Sequence, residues 1–230
     1  GNIVYTNDTR YQINDFKVAQ YRLELKSEDW FVRAYTTREN SGNTLIAGPT
    51  SQLINEGWKV SYDGNVGGWY PEYTEALIMG LATGSDMQAA HIAARQFADQ
   101  GRLVEGSEGF NALKKQISQT PISEGGTLFL DRSKLYNAEF QYNFRKLIPF
   151  MDVIAGVNWR LYSLNSKNTL FPDMDKPINV KEYSGYLSLG KRLVDDRLTL
   201  NTSFRLDKNT LFGKPRLTSR ASAVFQTAYQ

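Results

Sequence analysis

A strict alternation of apolar and polar residues, repeated in seven separate stretches, restricts this chain more than any other feature. Alternation at period two puts one residue type on each face of an extended strand. Residues 135–144 place Tyr136, Ala138, Phe140, Tyr142 and Phe144 on one face and Asn137, Glu139, Gln141 and Asn143 on the other. Residues 152–161 set Val153, Ala155, Val157, Trp159 and Leu161 against Asp152, Asn158 and Arg160. The same division runs through 17–26, 30–38, 183–192, 197–207 and 216–225, and residues 3–12 offer an eighth stretch. Most are near the ~9–11 residues with which a tilted strand crosses a bilayer. The expectation is a mainly β fold: an antiparallel up-and-down meander of seven or eight strands with a helical insertion in one long loop.

The connections alternate as well. Short ones fall at 27–29, 145–150 and 194–196; long ones at 39–130, 163–179 and 208–215. Short turns on one side and long loops on the other are the habit of outer-membrane barrels. The whole chain, 1–230, is therefore read as one β-barrel fragment in which 39–130 is a long loop insertion. Helical spacing within it predicts helices at about 71–82, 86–100 and 107–118. Ser85 with Gln88 forms a capping box for the second, and Gly101 stops it. The stretch 40–70, rich in Gly, Asn and Ser, reads as loop.

Composition agrees with this fold. Aromatics make up 13 %, including 13 Tyr and 12 Phe, and such residues favour strands. A mean hydropathy of −0.46 does not exclude a bilayer, since a barrel carries its apolar signal in every second residue. The net charge of +3 is spread along the chain and gives no footprint for nucleic acid. There is no Cys, which removes disulfides and thiolate chemistry. No basic and apolar leader opens the sequence.

Motifs that suggest chemistry have plainer explanations. His91 is the only histidine and sits mid-helix without ligand partners. Asp173 and Asp175 lack the spacing and closing Glu of a calcium loop and read as a polar turn. Asp195 and Asp196 join two strands, as a turn requires. The glycines of 64–68 lack the spacing of a phosphate loop. Trp30, Tyr142, Phe144, Phe150 and Tyr183 lie near strand ends, where interfacial girdles place aromatics and where a soluble core also buries them. No catalytic residue, metal site or cofactor is expected, and the chain is read as no enzyme.

Four strings carry a family resemblance: FKVAQYRLELKSEDWFVRAYTTRE at 16–39, DMQAAHIAARQFADQGRLV at 86–104, DRSKLYNAEFQYNFRKLIPFMDVIAGVNWRLYSLN at 131–165, and PINVKEYSGYLSLGKRLVDDRLTLNTSFRLDKN from 177 followed by PRLTSRASAVF. Together they resemble the barrel of TonB-dependent outer-membrane receptors of the Bacteroidetes type, the subgroup with a carboxypeptidase-regulatory-like domain. The resemblance implies a fragment of such a receptor in the outer membrane, engaged in uptake of a large scarce nutrient such as a siderophore, a glycan or a cobalamin-like ligand. It implies outer-membrane lipid, the TonB complex and a plug domain as partners. Those barrels have about 22 strands. Seven or eight here, with neither plug nor terminal aromatic, imply an internal piece.

On this reading the polar face points into the lumen, and Tyr35, Arg38, Arg160, Tyr162 and Arg205 are the residues expected to meet a substrate or the plug. The competing reading is a small self-contained β-barrel, a lipocalin-like ligand-binding module with its apolar face turned inward. A glycan hydrolase would need a carboxylate pair that the sequence does not present.

Overall fold

The computed structural model describes residues 2–6, 9–64 and 67–227, so parts of the 3–12 and 64–68 stretches fall outside it. The protein is mainly β. In chain order it contains β1 (Asn2–Tyr5), β2 (Arg10–Ile13), β3 (Lys17–Lys26), β4 (Trp30–Asn40), β5 (Leu45–Ile46), α1 (Ala47–Trp58), α2 (Trp69–Ala82), α3 (Met87–Ala98), α4 (Glu108–Gln119), β6 (Lys134–Asn143), β7 (Asp152–Leu164), β8 (Ile178–Leu193), β9 (Leu198–Asn209) and β10 (Arg216–Phe225).

The chain forms two compact units. Lys17–Asn40 and Asp131–Gln230 make the sheet unit, while Gly1–Phe16 and Ser41–Leu130 make the helical unit. The insertion expected at 39–130 thus recruits the chain's opening residues. The eighth expected strand is not a strand of the large sheet: 3–12 supplies parts of two short strands, β1 and β2, and β2 pairs with both β1 and β5 in a three-stranded sheet.

The sheet unit is a seven-stranded antiparallel meander, ordered β10-β9-β8-β7-β6-β4-β3. The seven stretches with period-two alternation became its seven strands. Both edges, β3 and β10, lack a strand partner among the described residues, so the sheet is open. The short connections 27–29, 144–151 and 194–197 lie at one end of the strands; 41–133, 165–177 and 210–215 lie at the other.

Its faces reverse the usual arrangement of a water-soluble sheet. The register aligns Leu25, Val32, Phe140, Val157, Gly185, Leu206 and Leu217 in one row across all seven strands. The six with side chains are 40% to 69% exposed. On the opposite face Asn137, in the middle of the sheet, is only 3% exposed.

In the helical unit, α2 packs against α3 through small residues. Ala90, Ala94 and Ala98 recur at i+4 and are buried, and a Cβ on Gly80 would come 3.3 Å from that of Ala90. The Asp86 side chain, not Ser85, caps α3 by accepting from the Ala89 amide at 3.1 Å. Ser107 caps α4 in the same way through Phe110. The expected loop at 40–70 contains a helix instead. In α1, Pro49 sits in the first turn, where its missing N–H has no intrahelical acceptor to lose, and Thr50 and Ile54 are buried on one side. Thr50 Oγ1 donates to Ile46 O at 2.7 Å and lies 2.9 Å from Thr127 Oγ1. Lys59 Nζ, just past α1, donates to Glu72 at 2.6 Å and to the Ala98 carbonyl at the end of α3 at 2.8 Å.

Candidate lumen-type polar face

The polar side of the seven-stranded sheet is organised in rows, because antiparallel partners share a face. One row crosses every strand: Glu24, Arg33, Glu139, Asn158, Ser184, Asp207 and Arg216. Its charges alternate where they meet. Arg33 Nε reaches Glu24 at 2.8 Å and Arg33 Nη1 reaches Glu139 at 2.7 Å, with each of the three side chains 25–30% exposed. Arg22 adds a second cation beside Glu24.

A neighbouring row runs Arg22, Tyr35, Asn137, Arg160, Glu182 and Asn209. Asn137 Oδ1 accepts from Asn158 Nδ2 at 2.9 Å and from Arg160 Nε at 3.0 Å. Glu182 accepts from Asn209 Nδ2 at 2.9 Å. On the other side of the charged row, Tyr186 lies over Gly156 and donates to Gln141 at 2.5 Å. Arg205 grips Asp207 through Nε, at 3.0 and 2.9 Å, and gives Nη2 to Ser184 at 3.2 Å. This network satisfies Asn137 Oδ1 twice over but leaves the buried Asn137 Nδ2 without an acceptor.

Four of the five residues singled out from sequence lie on this face. Tyr35 and Arg160 share a row through Asn137; Tyr162, paired with Leu135 and Val180, and Arg205, paired with Tyr186 and Thr218, stand in the rows beyond on either side. Arg38 does not belong with them. It pairs with Ala19 and Lys134, in phase with Trp30, Val32 and Ala34, and its guanidinium lies 5.9 Å from the Tyr21 ring centroid on the apolar side. Strand parity decides this: Arg38 is an even step from Trp30, so it shares the tryptophan's face. The residues that sequence inspection missed are Glu24, Arg33, Glu139, Asn158, Glu182, Asp207 and Arg216. Each alternates correctly in its own strand, but only the register brings them into line.

Among the described residues, no group of three or more His, Cys, Asp or Glu is arranged to hold a metal ion. His91 is exposed on α3, where its Nδ1 lies 2.5 Å from Tyr73 Oη. Asp173 is a loop staple: its carboxylate accepts from the Ser166 amide, from Ser166 Oγ at 2.8 Å and from the Asn168 amide at 2.7 Å. No helix among the described residues is long and apolar enough to cross a membrane, which says nothing of crossing by strands. No protein-family model matches the chain, and no curated protein matches it.

Proposed function

We propose that the chain is part of the barrel wall of an outer-membrane receptor, resembling the TonB-dependent type, with the polar face turned to the lumen and the apolar face to lipid. The observation that carries this reading is the exposed apolar row, Leu25 to Leu217, backed by a hydrogen-bonded polar row. In water such a face is a large uncovered patch, which monomeric soluble proteins avoid. Facing lipid, it is the ordinary outside of a barrel. On β7 the apolar side runs from Val153 to Leu161; that is about 26 Å of strand at ~3.3 Å per residue, or ~20 Å of height at a tilt of ~40°, which lies within the ~25 Å apolar band of such barrels. Trp30 and Tyr142 are paired toward the short-turn end, and Trp159 and Tyr183 toward the long-loop end.

On this reading the short turns face the periplasm and the long loops face outward. Plug domain, TonB complex and a large nutrient are the partners the resemblance supplies. The chain's own residues perform no bond chemistry; they line the path.

Tryptophan fluorescence tests the orientation. With Trp58 and Trp69 of the helical unit replaced by Phe, only Trp30 and Trp159 report. Both are quenched by lipid-attached quenchers in micelles if the apolar face meets lipid. Emission that is blue-shifted in plain buffer and indifferent to those quenchers sinks the receptor reading and favours an inward-facing, lipocalin-like core.

A further inference from the structure

We propose that the long-loop end of the polar face contains a binding pocket for an organic oxyanion, held by Arg160, Arg205, Lys214 and Arg216. This deepens the receptor reading and rests on it for biological meaning. The pocket is formed by β7, β8, β9, the start of β10 and the 210–215 loop, and Glu182, Asp207 and Phe212 also line it. Lys208 lines it too, but its register partner is Tyr183, which puts its side chain on the apolar face. Four cations therefore stand against two carboxylates.

The carboxylates offset only part of this charge. Asp207 is ion-paired with Arg205 and stands opposite Arg216 in the register, while Glu182 stands opposite Arg160 and takes a hydrogen bond from Asn209. Arg160, Lys214 and Arg216 form no ion pair among the described residues. Arg160 spends one N–H on Asn137, and Arg216 lies 5.2 Å from the Phe212 ring centroid. The excess of positive charge, carried by guanidinium and ammonium groups around one pocket, calls for an acceptor-rich, negatively charged group. Guanidinium forks suit carboxylate and phosphate oxygens alike.

The test uses the whole chain in detergent micelles, with citrate and inorganic pyrophosphate as probes and calorimetric titration as readout. Binding is expected to weaken as salt rises. Arg160→Gln and Arg216→Gln are each expected to weaken it about tenfold, the loss of one charge-assisted contact. Lys115→Gln in the helical unit is expected to change nothing. Citrate binding alone identifies a carboxylate ligand, pyrophosphate binding alone a phosphate ligand. No binding of either probe, or binding that Lys115→Gln weakens as much as the arginine variants do, overturns the pocket. The tryptophan measurement is read on the same samples. Quenched tryptophans without anion binding sink the pocket and leave the receptor reading standing. Unquenched tryptophans with arginine-dependent binding sink the receptor reading and leave the pocket.

Discussion

At the scale of single residues, close approach matters more than residue type. Gly156 is the clearest case. A Cβ there would lie 2.6 Å from the Tyr186 ring. The ring fills the space the glycine leaves and is aimed at Gln141 in doing so, a pairing that shields a glycine in the middle of a sheet. Gly156→Ala is therefore expected to push the ring aside and lower stability by about 1–2 kcal/mol, through overpacking plus the lost hydrogen bond. Tyr186→Phe should absorb part of that loss in a double-mutant cycle monitored by denaturant unfolding. Additive effects would mean that ring and glycine do not interact. Val194 presents the opposite problem, with a φ of 55° that a β-branched residue tolerates poorly. Val194→Asn should stabilise by about 1 kcal/mol in the same assay.

At the scale of elements, what the sequence revealed depends on how locally each element is determined. Period-two alternation over ten residues is a local signal, so the seven long strands were readable from it. The helices α2, α3 and α4 follow from spacing and caps. By contrast, α1 opens on Gly48 and Pro49, and its burial rests on Thr50 and Ile54 alone; nothing in that composition distinguishes it from loop. The pairs β1–β2 and β2–β5 are too short for a period to emerge. Arg38 lies near the long-loop end of β4, as Tyr35 does, but its even spacing from Trp30 puts it on the apolar face.

The turns carry an electrostatic clasp that was also invisible in sequence, since it joins residues more than a hundred positions apart. Lys146 Nζ meets Glu28 at 2.6 Å and Asp29 at 2.8 Å, Arg145 meets Asp29 at 3.1 Å, and the Asn143 amide donates to Asp29 O at 2.6 Å. Hydrogen bonds from Lys146 chiefly hold both carboxyls below their ordinary values of 4.5 and 3.8, and the Asp29 bond raises Lys146 above 10.5. A depressed carboxyl contributes stability above its unfolded value and loses it as pH falls through the folded one. A raised amine contributes below its unfolded value and loses it as pH rises past the folded one. The clasp should thus hold from about pH 5 to pH 10 and release in acid. Hydrogen exchange at Asn143 should accelerate below about pH 4, relative to intrinsic rates, in the wild type. In Lys146→Gln that pH dependence should flatten. The same acid response in both proteins would exclude the clasp. In the 165–177 loop, burial pushes the Asp173 carboxyl up, but the Asn168 and Ser166 amides and the Ser166 hydroxyl together hold it below its usual range. Asp173→Ala should destabilise by about 2 kcal/mol, with local loss of protection at Ser166 and Asn168 amides.

At the scale of the whole molecule, the position of the apolar face decides the sign of a mutation. Val157 stands in the middle of the apolar row and is 57% exposed. If that row met only water, Val157→Arg would be close to neutral, as most exposed substitutions are within about 0.5 kcal/mol. If it were turned into a soluble core, the charge would be buried without a partner and the sheet would not assemble in any solvent. Facing lipid, the substitution should cost about 2–4 kcal/mol at the bilayer midplane and little in plain buffer. Moving the arginine along the row, to Leu206, should reproduce that penalty. Moving it along β9 to Leu200, on the same face toward the short-turn end and 38% exposed, should reduce the penalty toward ~1 kcal/mol or less. Unfolding of these variants in lipid vesicles and in buffer separates the three cases. A penalty that depends on lipid and on depth requires an outward apolar face. A penalty equal in both solvents and at both depths excludes it. Arg38 extends the same logic, because its register places a charge on the apolar side, two residues from the Asn40 end of β4. At the edge of a lipid-facing band a long cationic side chain can reach the interface, so Arg38→Leu should leave vesicle stability nearly unchanged, while Ala34→Arg, four residues deeper on the same face, should not.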